Sequence, residues 1–219
     1  TRRIRWFIRR RESAFWRLKS SLENGRRWLI MDMEQSNLTP FVRENLDILF
    51  VGLNPAGGSS RNRHYFSVNQ AFWNQLHESG LIILPVDKSN ADEIVFGSTS
   101  KNFHGWSFGM TDLVTGIAES NSSKIKPGKI DCEILSDLIQ RLSPKVVVLL
   151  HRKVLKYFGS FIDLSLLPAN SGLLGTIFAN CPTVFFSIAF PHGNAIPSRD
   201  KVAQYKKVKL YLENLELPR

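Results

Sequence analysis

Past Met33, short runs of consecutive apolar residues alternate with longer stretches whose apolar positions recur every three or four residues. The runs "LDILFVG" (46–52), "KVVVLL" (145–150) and "TVFFSIAF" (183–190) have the length and the β-branched or aromatic content of strands buried on both faces, and "SFGMTDLV" (107–114) reads as a fourth, weaker one. Between them, Asn69 can cap a helix that carries Phe72, Trp73 and Leu76 and stops at Gly80. Ile134, Leu135, Leu138, Ile139 and Leu142 stripe a second helix that ends before Pro144, and Ser198 can cap a last helix presenting Val202, Tyr205, Val208 and Leu212 on one side. Residues 85–106 read as an irregular insertion with one short helix around 91–96, and 120–129 as a loop. The alternation predicts an α/β three-layer sandwich, a four-stranded parallel sheet flanked by helices on both faces.

Length and apolar content set the scale, because 219 residues, 43% of them hydrophobic, bury one good core. We expect one catalytic-sized domain over 34–219, preceded by a basic extension over 1–33. The net charge is +10, yet residues 1–30 hold ten Lys and Arg against Glu12 and Glu23, so that segment carries +8 and the remainder only +2. Three readings of it stay open: a nucleic-acid arm, an interfacial helix, or a translated stretch upstream of a start at Met31 or Met33. It is too interrupted by arginine to span a bilayer and lacks the apolar run and cleavage site of a secretory signal. Two cysteines, Cys132 and Cys181, are too few for a disulfide framework, a four-thiolate zinc site or a cysteine-held iron–sulfur cluster. That usage fits a reducing, cytoplasmic setting. His64, His77, His104 and His151 lack metal-ligand spacing, so we expect no metal and no cofactor.

The first strand runs into "GLNPAGG" (52–58), which puts Asn54 off its carboxyl end, where open parallel sheets bind ligands. Pro55 stiffens the turn, and Gly57 and Gly58 let backbone N–H groups approach a ligand. Neither Gly-Lys-Ser/Thr nor G-x-G-x-x-G occurs, which argues against a phosphate loop. Residues alone leave two uses for Asn54: a ligand contact, or a hydrogen bond to its own turn.

"GLNPAGGSSRNRHYFSVNQAFWNQLHESGLI" (52–82) resembles the first signature of the uracil-DNA glycosylase superfamily, in particular its mismatch-specific uracil and thymine branch. That branch writes Gly-Ile-Asn-Pro-Gly, an aromatic, then Asn-x-Phe-Trp and a helix. The resemblance continues through "FGMTDLV" (108–114) and "LSPKVVVLL" (142–150). It implies a monofunctional, monomeric DNA glycosylase that flips and hydrolyses off uracil or a related deaminated or mispaired base in double-stranded DNA. It places Asn54 as the catalytic residue holding the attacking water. Gly52, Leu53, Pro55, Gly57, Phe66 and Asn69 would form the base pocket, Phe66 or its neighbour Tyr65 supplying the stacking ring and Asn69 either reading the base or capping its helix.

The second signature departs from the pattern. Where the branch writes Asn-Pro-Ser-Gly-Leu-Ser-Arg, this chain reads "FPHGNAIPSR" (190–199), with Phe190 at the polar position. Phe190 cannot donate to the leaving base, so His192, which the resemblance offers as a second catalytic group against a structural loop histidine, or else Asn194, would have to supply that donor. Gly193, Asn194, Ile196, Ser198 and Arg199 would meet DNA, Ile196 as a wedge and Arg199 at a phosphate or the widowed partner base, with Lys201, Lys206, Lys207 and Lys209 as a basic flank. The alternative is a catalytically silent nucleic-acid-binding relative of the same fold.

Overall fold

The computed structural model describes residues 34–164 and 167–217, so the basic extension lies outside the described residues. The central strands are β2 (Ile48–Gly52), β3 (Phe108–Asp112), β5 (Val146–Leu149), β6 (Gly172–Thr176) and β7 (Val184–Ser187), and a separate antiparallel pair joins β1 (Glu34–Gln35) to β4 (Ile117–Ala118). The sheet order is β3-β2-β5-β7-β6. Its first four strands are parallel, as expected from the four apolar runs. The fifth, β6, is antiparallel to β7 and makes the sheet five-stranded rather than four. Its sequence, Gly172 to Thr176, is half exposed, has glycines at positive φ and slips register between Leu173 and Gly175, so it carries little of the apolar alternation that marks a strand.

Five helices follow in chain order: α1 (Gly57–Asn62), α2 (Ala71–Glu78), α3 (Lys129–Leu142), α4 (Arg152–Phe161) and α5 (Ser198–Glu216). Alternate residues of β2 enter opposite cores, which is the period of a strand buried on both faces. Ile48 and Phe50 pack with Phe72, Trp73, Leu76, Tyr205 and Val208 from α2 and α5, whereas Leu49 and Val51 pack with Leu135, Ile139, Leu155 and Phe158 from α3 and α4. The three layers expected from the pattern are therefore present.

Local chemistry explains the departures. The buried stripe of α3 is Cys132, Leu135, Ser136 and Ile139, an i, i+3, i+4, i+7 set, and Ile134 falls outside it at 49% exposed. The last helix is preceded by Pro197, not capped by Ser198, whose hydroxyl instead accepts from Gln75 Nε2 at 3.1 Å. Asn69 does act at the start of α2, Oδ1 accepting from Ala71 N at 2.8 Å. The insertion before β3 holds two short helical turns, Glu93–Gly97 and Phe103–Gly105, rather than one, and the first is tied down by Arg43, whose guanidinium donates to Ser107 Oγ, Phe96 O and Phe108 O.

Candidate functional site

Parallel strands end on one side, so Asn54 beyond β2, Asp112 closing β3, His151 beyond β5 and Phe190 beyond β7 all leave the sheet at its carboxyl edge. Asn54 is half-buried, and its Nδ2 donates to Pro55 O at 2.8 Å and to Glu119 O at 2.9 Å. Both partners are carbonyls, which accept only, so the amide nitrogen must face them and Oδ1 must face the other way. Among the described residues Oδ1 has no hydrogen-bond partner. Glu119 N returns a bond to Pro55 O at 3.0 Å, locking the two loops together. The Asn54 side chain thus bonds to its own turn and still presents a fixed acceptor.

Gly57 N–H, an expected ligand donor, points at Ser120 Oγ at 3.2 Å. It is therefore open to a ligand only where Ser120 gives way. Gly58 is needed for packing, since a Cβ there would lie 2.5 Å from Val68 Cγ2. Gly52 has a sharper reason. Asp112 pairs beside it, and a Cβ on Gly52 would sit 2.3 Å from Asp112 Oδ1. Gly52→Ala is expected to cost about 1–3 kcal/mol by forcing that buried carboxyl aside, and an unchanged urea midpoint would contradict it. Leu53 is buried in the α3–α4 side of the core and Pro55 is buried as well, so both shape the turn from beneath.

Asp112 is the group that sequence reasoning missed, although its signal was present: one carboxylate closing an otherwise apolar strand pattern. It is buried, and Oδ2 has no hydrogen-bond partner among the described residues. Burial pushes its pKa up to about 7 from the ordinary 3.8, with the Tyr65 hydroxyl pulling it back down. The Tyr65 hydroxyl in turn is held well above its ordinary range by burial and then by Asp112 and Asp92. Because the folded-state value of Asp112 exceeds the unfolded one, the stability tied to its neutral form is complete below pH 3.8 and is lost as pH rises towards about 7. Asp112→Asn should abolish that decline, its advantage over the natural chain growing to a few kcal/mol between about pH 4 and about pH 8. Urea midpoints that keep a constant gap across the range would show that the carboxyl titrates normally.

Of the two candidate stacking rings, Tyr65 belongs to the core at 4% exposed, its backbone N–H donating to Asp92 Oδ2 at 2.7 Å. Phe66 is half-buried, with φ of +53°, and stacks on Phe72 at 4.0 Å between centroids. Phe190 lies 6.2 Å from Phe66, 5.7 Å from His151 and 5.1 Å from His192. The residue that departs from the expected signature is thus the ring at which both signature loops and the end of β5 meet. A recess of about 320 Å³ lies nearby, lined by Asn37, Thr39, Phe41, Arg63, Tyr65 and Glu93; Asn54 does not line it.

The loop after β7 is braced from within and below. Asn194 Nδ2 donates to Phe190 O and His192 O, while its Oδ1 accepts from Ile196 N, so all of its side chain serves the turn around Gly193, whose φ is +71°. Gln75 Nε2 and Lys201 Nζ both donate to Pro191 O. Lys201 is 2% exposed, which removes it from the expected basic flank, and Lys209 lies over the Phe103 ring and pairs with Glu213. Lys206, Lys207 and Arg199 remain exposed, Arg199 near Asp200 at 3.6 Å, and Ile196 is half-buried. His192 is exposed, and its pKa is lowered by partial burial and then by Lys201.

Among the described residues no cluster of three potential metal ligands occurs, and no helix is long and apolar enough to cross a membrane. The family model of the uracil DNA glycosylase superfamily matches residues 39–215. No curated protein matches the chain.

Proposed function

The chain belongs to the uracil DNA glycosylase superfamily, and from that premise we propose that it flips uracil or a related deaminated or mispaired base out of double-stranded DNA and hydrolyses its glycosidic bond, leaving an abasic site. The observation that carries this reading is the Asn54 amide, tied by both N–H groups to carbonyls so that Oδ1 faces away as an acceptor. An acceptor of that kind orients a water while removing little of its proton, since an amide is a poor base. The half-buried Phe66, backed by Phe72, offers a face on which an extruded base can stack. The mismatch-specific kind of activity rests on the "GLNPAGG" turn and on an asparagine where faster glycosylases carry a carboxylate.

The test is a panel of duplexes carrying uracil, thymine mispairs or hypoxanthine, scored as alkali-labile sites under single turnover. Cleavage of one or more supports the reading. A catalytically silent DNA-binding relative is the second reading, and Phe190 at the polar position is what favours it. Tight binding of every duplex with no labile site formed would establish that alternative.

A further inference from the structure

We propose that His151, at the carboxyl end of β5, is the catalytic hydrogen-bond donor to the departing base, supplying what Phe190 cannot. This rests on the excision reading above. In that reaction the C–N bond breaks with both electrons leaving on the base, and the water held at Asn54 forms the new C–O bond to the sugar and releases a proton to solvent. The base anion later takes a proton from solvent. What accelerates the step is a preorganised N–H aimed where negative charge develops.

His151 has such an N–H, and its identity follows from one contact. Its Nδ1 accepts from Lys153 N at 3.0 Å as the cap of α4, so Nδ1 carries no proton and the neutral ring holds its proton on Nε2. Burial, and then the charge of Lys153, lower its pKa, which keeps the ring neutral at neutral pH. No described residue accepts from Nε2, and that atom is not sealed from solvent. The ring stands 5.7 Å from Phe190, on the strand that lies between β2, which leads to Asn54, and β7, which leads to Phe190.

The other two candidates are less well placed. Asn194 spends both amide hydrogens within its own turn, and the exposed His192 ring has no hydrogen bond to fix it among the described residues. A donor on the end of a central strand, locked as a helix cap, is oriented before the base arrives.

Two substitutions separate the cap from the donor. His151→Asn keeps an oxygen able to accept from Lys153 N but removes the Nε2 donor, whereas His151→Gln keeps a donor at the Nε2 position and loses the cap. We expect His151→Asn to melt close to the natural chain yet lose about a hundred- to a thousandfold in single-turnover rate on the best duplex. His151→Gln should be less stable and faster than His151→Asn, and His192→Ala should lose far less rate than His151→Asn. The natural rate should not fall as pH rises through neutrality, since a neutral donor beside Lys153, with His192 and Lys201 across Phe190, has nothing further to lose there. A full rate in His151→Asn, or the large loss appearing in His192→Ala instead, overturns the proposal while leaving excision intact. A natural chain that releases no base from any duplex overturns the excision reading, and this proposal with it.

Discussion

Asn54→Ala is expected to slow base release by about a hundred- to ten-thousandfold under single turnover, the range over which a positioned acid or base group acts, while affinity for the same duplex stays near that of the natural chain. The split follows from where each free energy arises. Phosphate contacts supply most of the affinity of a DNA-binding surface, and Asn54 is half-buried at a strand end with its amide committed to Pro55 O and Glu119 O. Its loss frees those two carbonyls, so some loosening between the 54–57 turn and the 119–120 loop is expected. Asn54→Asp distinguishes that loosening from chemistry. A carboxylate cannot donate to either carbonyl, so it disturbs the brace at least as much as alanine, yet it offers a stronger base to the water. If brace geometry dominates, Asp and Ala are equally slow; if water activation dominates, Asp is faster than Ala. A natural rate in Asn54→Ala would remove Asn54 from the reaction.

The parallel core was legible in the chain because burial on both faces writes strands as unbroken apolar runs, and Ile48 to Val51, Val146 to Leu149 and Val184 to Phe186 are such runs. The antiparallel edge strand was not legible, because a half-exposed segment with two glycines has neither periodicity nor composition to mark it. Nor was α4: its cap is a histidine, not one of the oxygen-bearing residues by which helix starts are recognised. The turn at Asn54 stood out through its punctuation of proline and glycine. What lay beyond the sequence was the distant partnering: that Asn54 also reaches Glu119 O, that Ser120 occupies Gly57, and that Asp112 lies across Gly52. These are contacts made across more than fifty positions, and no local pattern encodes them. Lys201 is the clearest case. A lysine in a basic stretch reads as solvent-facing, yet this one is buried against Pro191 O because α5 packs its first turn under the loop after β7.

Phe66→Ala is expected to slow base release by about ten- to a hundredfold, in keeping with the roughly 1–3 kcal/mol that stacking contributes per base on an aromatic ring. The position carries two separable physical loads. Its ring stacks on Phe72 and meets Trp73 edge-on at 5.9 Å, so alanine also removes packing from the core's rim. Its backbone, at φ +53°, sits where a bulky residue is strained and where glycine is not. Strain of about 1–3 kcal/mol persists only where the surroundings over-determine it, and here Tyr65 N is held by Asp92 and Asn62 Nδ2 reaches Ser67 Oγ on either side. Phe66→Gly relieves the backbone and removes the same ring. It should therefore be at least as stable as Phe66→Ala, by up to about 1 kcal/mol, and just as slow. Should the glycine variant instead recover the natural rate, the ring would be a packing element alone. Base stacking would then have to come from Phe190, the next ring in the cluster.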